Sequence, residues 1–157
     1  MSRVLLGERK GGFVIASTEK TTAIWRMEAN TWHKLNTDER LAIWSSVLDR
    51  DGTLWALSLR DEPTVLQLQG ETWTAVQLAS EEDVRTALGN PPSEKKLKLV
   101  PRSFVPNPQG GLVSANIVDS VRDIWGVAIL ETGDPPKRHV ADAGTSAQPD
   151  IGKDAVP

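Results

Sequence analysis

Cysteine and tyrosine are absent from this chain, and no apolar run approaches the roughly 18 residues that a membrane-spanning helix needs. Without cysteine there is no disulfide framework, thiolate metal site or cysteine nucleophile, and the protein is indifferent to redox conditions. Without tyrosine there is no phenol nucleophile of the kind some glycoside hydrolases use. Positive charge is also short: 18 Lys and Arg against 21 Asp and Glu leave a net charge of −3. Nucleic acid is therefore a disfavoured partner, because phosphate binding rests on clustered Lys and Arg. The apolar residues near the N-terminus, Val4-Leu5-Leu6, stop at Gly7-Glu8 and are too few for a signal peptide. The expectation is a protein with no membrane contact, cytoplasmic or held within an assembled particle.

Recognisable site chemistry is equally sparse. Gly11-Gly12 and Gly110-Gly111 lack the later Gly-Lys and the following helix of a phosphate-binding loop. Asp49 and Asp51 suggest a calcium loop, but the position six after Gly52 is Ser58 rather than Glu, so the EF-hand spacing fails. A hydrogen-bonded Asp-Gly turn is the expected role of that pair. His33 and His139 stand far apart in sequence. No catalytic residue, metal ligand or cofactor is expected, and the chain reads as a non-enzyme.

What the sequence does carry is strand patterning. Apolar runs Ile43 to Leu48, Leu54 to Leu59, Val65 to Leu68 and Trp73 to Leu78 are separated by Asp49-Arg50-Asp51-Gly52, Arg60-Asp61-Glu62-Pro63 and Gln69-Gly70-Glu71. Strand-length runs between turn-forming clusters predict a four-stranded antiparallel meander. Its second strand is apolar or small on both faces (Trp55, Leu57 and Leu59 against Leu54, Ala56 and Ser58), as in strands covered from both sides.

The first 36 residues fall on this stretch when moved 41 positions along: Gly11 on Gly52, Phe13 on Leu54, Ile24 on Val65, Met27 on Leu68 and Trp32 on Trp73. A four-stranded unit repeating every 40 to 45 residues or so is the pattern of a propeller blade. A degenerate third unit is expected over 97–130, with strands near Leu97 to Val105, Leu112 to Val118 and Ile124 to Leu130 and no clear fourth. Between the second and third units, Ser80 followed by Glu81, Glu82 and Asp83 and ended by Gly89 predicts a short helix near 80–89 within an insertion at 79–93. The Gly-, Pro- and Ala-rich segment 132–157 is expected to be disordered, or an arm ordered by a partner. The fold class is thus all-β, one domain over 1–131 with units at about 2–36, 43–78 and 97–130. Its consecutive four-stranded antiparallel meanders would form a partial propeller or an open sandwich.

Asp51-Gly52-Thr53-Leu54-Trp55-Ala56-Leu57-Ser58, followed by Gly70-Glu71-Thr72-Trp73, resembles the blade pattern of tectonin-type and two-component-regulator-type propeller repeats. Val4-Leu5-Leu6-Gly7-Glu8-Arg9-Lys10-Gly11-Gly12-Phe13-Val14 resembles the opening of sialidase-like propellers. The resemblance implies a binding or scaffolding platform. A closed propeller usually has at least four blades, so either identical chains complete a ring or other chains cover the exposed sheet edges. Two functional expectations follow. The first is a structural or interaction subunit of a larger assembly, such as a virion or secretion-type particle, with other subunits or its own copies as partners. Its contact residues would be Lys95, Lys96 and Lys98 on an edge strand and Lys137, Arg138 and His139 in the arm. The alternative is a tectonin- or lectin-like carbohydrate-binding module using Trp25, Trp44 and Arg26, with Trp32, Trp55 and Trp73 reserved for the core.

Overall fold

Twelve strands and one helix follow one another in the computed structural model, which describes residues 2–7, 11–18, 21–38, 40–59, 62–88, 99–119, 124–133 and 135–145. The strands form three four-stranded antiparallel sheets, each a meander in chain order. The first contains β1 (Ser2–Gly7), β2 (Gly11–Ser17), β3 (Thr22–Glu28) and β4 (Thr31–Lys34). The second contains β5 (Ile43–Leu48), β6 (Leu54–Ser58), β7 (Thr64–Gln69) and β8 (Thr72–Ala75). After helix α1 (Glu81–Leu88) comes the third, with β9 (Val100–Pro106), β10 (Leu112–Asp119), β11 (Ile124–Glu131) and β12 (Lys137–Thr145).

The sheets stack in series, and the core consists of the two layers between them. Phe13, Ile15, Ile24 and Leu35 of the first sheet meet Leu54, Ala56, Leu66 and Leu68 of the second. Trp55, Leu57, Val65 and Leu78 on the opposite face of the second meet Phe104, Leu112, Ala128 and Leu130 of the third. Alternation along β6 explains how one strand serves both layers: all five of its residues are buried, and successive side chains point to opposite faces. The first strands adjoin, β5 touching both β1 and β9, so the sheets converge along one edge.

Cross-strand register shows how far the units are copies. Calling the face toward the following sheet the front, Phe13 lies opposite Arg26 and Ile15 opposite Ile24 in the first sheet. Their counterparts are Trp55 opposite Gln67 and Leu57 opposite Val65 in the second, and Val113 opposite Ile129 and Ala115 opposite Val127 in the third. Phe13 therefore corresponds to Trp55, not to Leu54 as the gapless overlay had it. The 41-residue offset holds for β3 and β4, but between equivalent positions the β2–β3 connection (Ile15 to Ile24) is one residue longer than the β6–β7 connection (Leu57 to Val65), and a one-residue slip moves a side chain to the other face.

The third sheet has the fourth strand that the sequence reading lacked. β12 pairs with β11 over residues assigned to a disordered tail, with Arg138 opposite Leu130 and His139 opposite Ile129. Arg138 thus occupies the position of Trp32 (opposite Met27) and Trp73 (opposite Leu68). It reaches back to the second sheet, Nε donating to the Gln77 carbonyl at 2.8 Å. The change of residue type hid the strand. Residues 146–157, the rest of the expected arm, lie outside the described residues.

The short helix is present. Ser80 Oγ accepts the Asp83 N–H at 3.0 Å, and Asp83 Oδ2 accepts the Ser80 N–H at 2.9 Å, a reciprocal cap at the N-terminus. α1 packs against β12 and buries Val84. None of the described helices is long and apolar enough to cross a membrane.

Candidate functional site

Asp49 fills the turn between β5 and β6. One carboxylate oxygen accepts the N–H groups of Asp51 and Thr53, each at 2.9 Å, and the other accepts the Trp55 indole N–H at 2.8 Å. With Gly52 at φ 80° and Gly52 N–H bonded to the Asp49 carbonyl, this carboxylate is fully engaged in shaping the turn. The β9–β10 turn repeats it: Asn107 Oδ1 accepts the Gln109 N–H at 3.1 Å, Gly110 N–H bonds the Asn107 carbonyl, and Gly110 has φ 95°. Asp51 joins the two turns, its Oδ2 accepting from Thr132 Oγ1 at 3.2 Å and lying 3.0 Å from where a Cβ on Gly110 would sit. The Asp pair is thus a junction between the second and third sheets.

The matching turns, Asp49-Arg50-Asp51-Gly52 and Asn107-Pro108-Gln109-Gly110, put β5 and β9 in register and reveal a second shared feature. Between Ile43 and Ser45 the pairing of β5 with β6 is bulged at Trp44; between Pro101 and Ser103 the pairing of β9 with β10 is bulged at Arg102. Bulges re-aim side chains and are over-represented beside functional sites. Trp44 is 65% exposed, and Arg102 is exposed as well. An aromatic face and a guanidinium therefore stand at equivalent places on adjoining first strands. Arg102 was not among the residues singled out from the sequence, although the Asp49-to-Asn107 match, carried back along the strand, leads to it.

The other candidates are distributed differently. Trp25 and Arg26 are neighbours in β3 and so lie on opposite faces of the first sheet, Trp25 opposite Val14 and Arg26 opposite Phe13; they do not form one platform with Trp44. Arg26 Nε lies 2.9 Å from Glu28 Oε1, a charge contact in which the N–H is not aimed at the carboxylate. His33 is exposed opposite Arg26. Trp55 and Trp73 pack into the core layers as expected, whereas Trp32 is 42% exposed. Lys137, Arg138 and His139 lie on β12, exposed, with Arg138 engaged within the chain. Lys95, Lys96 and Lys98 lie outside the described residues.

A cleft of about 350 Å³ opens where the second sheet, α1 and the start of the third sheet meet, with Val65, Val76, Val84 and Leu99 on its apolar walls and Glu62 and Glu81 as its carboxylates. Glu81 is held by Arg85 one helical turn on, at 2.6 Å. Groups of three or more metal-ligating side chains do not occur among the described residues. The Asp83 carboxyl is held below its ordinary range by accepting from the Ser80 hydroxyl and N–H. Comparison with known protein families, with curated proteins and with solved structures finds no match to this chain.

Proposed function

We propose that this protein is a non-catalytic structural subunit of a larger assembly, its three sheets acting as consecutive blades of an incomplete propeller. One observation carries the reading. Both faces of the second sheet are buried, while the outward faces of the first and third sheets carry apolar side chains that are only half-buried: Val14, Trp25 and Met27 on one, Val113, Val127 and Ile129 on the other. Two apolar sheet faces on one small chain are interaction surfaces, because folded proteins otherwise keep such patches small. The test is velocity sedimentation of the protein in gently lysed source material beside the purified chain. Rapid sedimentation in the extract supports assembly; sedimentation as a free 17.1 kDa chain in both overturns it.

The exposed Trp44 and Arg102 at matching bulges favour a second reading, a carbohydrate-binding module in which the indole stacks on a sugar ring and the guanidinium hydrogen-bonds its hydroxyl or carboxylate groups. A glycan array read with wild type and Trp44→Ala tests it. Binding lost in the variant supports a site at Trp44; no signal with wild type removes the reading.

A further inference from the structure

The sheet-on-sheet contact is used twice within the chain, and the same surfaces are offered a third time to solvent. The back of the second sheet presents Ala56, Leu66, Leu68 and Trp73 to the front of the first, and the back of the third presents Ser114, Ala128 and Leu130 to the front of the second. By register, the back of the first sheet presents the counterparts Val14, Trp25, Met27 and Trp32. The front of the third sheet, with Val105, Val113, Val127 and Ile129, likewise repeats the front of the second, with Val47, Trp55, Val65 and Gln67.

Exposure separates used from unused copies. Trp73 packs against the core layer between the first two sheets, while Trp32, its counterpart, is 42% exposed. Val47 packs against the layer between the second and third sheets, while Val105, its counterpart, is 58% exposed. Two of the large apolar side chains most exposed among the described residues thus mark the two ends of one repeating interface.

Resting on the reading of the chain as an assembly subunit, we infer that its partner is a second copy of itself, bound head to tail. The front of the third sheet of each copy covers the back of the first sheet of the other. The contact forms twice about a twofold axis and closes a ring of six sheets. Six lies within the range of about four to eight blades over which twisted sheets close, whereas three copies would give nine. Head-to-tail contacts close into a ring when the rotation between neighbours completes a turn, and grow into filaments when it does not.

Native mass spectrometry and light scattering of the purified chain, with Trp32→Glu and Val105→Glu, test the inference. Both side chains are exposed in the single chain, so each variant is expected to keep the wild-type far-UV circular dichroism. Wild type is expected at twice the 17.1 kDa chain mass, and each variant alone at the single mass. Mixing the variants restores a dimer held by one of its two contacts, because the third sheet of Trp32→Glu and the first sheet of Val105→Glu are both intact while the second contact carries both substitutions; only a head-to-tail contact behaves this way. Hydrogen exchange on wild type gives a reading without substitutions, with β4 and β9 gaining protection as concentration rises. A wild-type monomer at tens of micromolar, an open ladder of oligomers, variants that stay dimeric, or a mixture that stays monomeric each overturns the inference. A purified monomer that sediments rapidly in the source extract would sink self-association and leave the assembly reading standing. A dimer that sediments only as a dimer would do the reverse.

Discussion

The contrast between Asp49 and Asn107 shows how one side chain dictates another. Both residues shape the same turn, but the strand that follows carries Trp55 in one case and Val113 in the other. A tryptophan that is 1% exposed needs an acceptor for its indole N–H, and the second carboxylate oxygen of Asp49 supplies it; valine needs none, and an amide suffices at Asn107. Asp49→Asn is therefore expected to cost about 1–3 kcal/mol, by presenting an N–H₂ to a buried donor. Most of that cost should vanish in a Trp55→Phe background. Urea unfolding of the four proteins in a double-mutant cycle measures the coupling, and additive costs would contradict the account. A smaller gain is available at the β3–β4 turn, where Ala29 has φ 46° and the corresponding residue of the β7–β8 turn is Gly70 at φ 63°. Ala29→Gly should stabilise by about 1 kcal/mol, read as a higher urea midpoint with an unchanged slope.

Among the elements, strand existence was legible and strand facing was less so. Turn clusters rich in Gly, Asp and Pro announced β5 to β8, the 41-residue overlay extended the pattern to β1 to β4, and Ser80 with three acids after it announced α1. The face presented by β2 depended on the length of the β2–β3 turn, which a gapless overlay cannot register. Trp32 was assigned to the core through its match with Trp73, a correct equivalence with a different outcome, because burial depends on whether a neighbouring sheet exists. β12 escaped notice because its composition resembles a loop and its pairing is set by β11 and α1 rather than by its own pattern. The helix cap gives a pH prediction. Asp83 has its pKa lowered in the folded state by Ser80, so its contribution is present above the unfolded value of about 3.9 and is lost as pH falls through the folded value. The stability difference between wild type and Ser80→Ala should thus be constant from pH 5 to 7 and shrink toward pH 3 in urea titrations. A difference that grows with acid would contradict the cap.

At the scale of the whole molecule, the core is two layers with a shared middle sheet, so the third sheet is stable only if complete. β12 covers one edge of β11, carries the contact with α1, and holds the second sheet through Arg138 and Gln77. Read from composition, the segment after Glu131 is a disordered tail or an arm ordered by a partner; read from the pairing, its first half is part of the third sheet. The two readings differ sharply for a chain ending at Glu131. If 132–157 were only an arm, thermal unfolding would be unaffected. Because β12 completes the sheet, the truncation should expose the β11 edge and unpack Val84, lowering the unfolding midpoint by several degrees or more and promoting aggregation through the open strand. A chain ending at Thr145 keeps every described pairing of β12 and is the control. Differential scanning calorimetry and light scattering of the two truncations decide the matter: equal midpoints and equal scattering would show that the fourth strand contributes nothing to the fold.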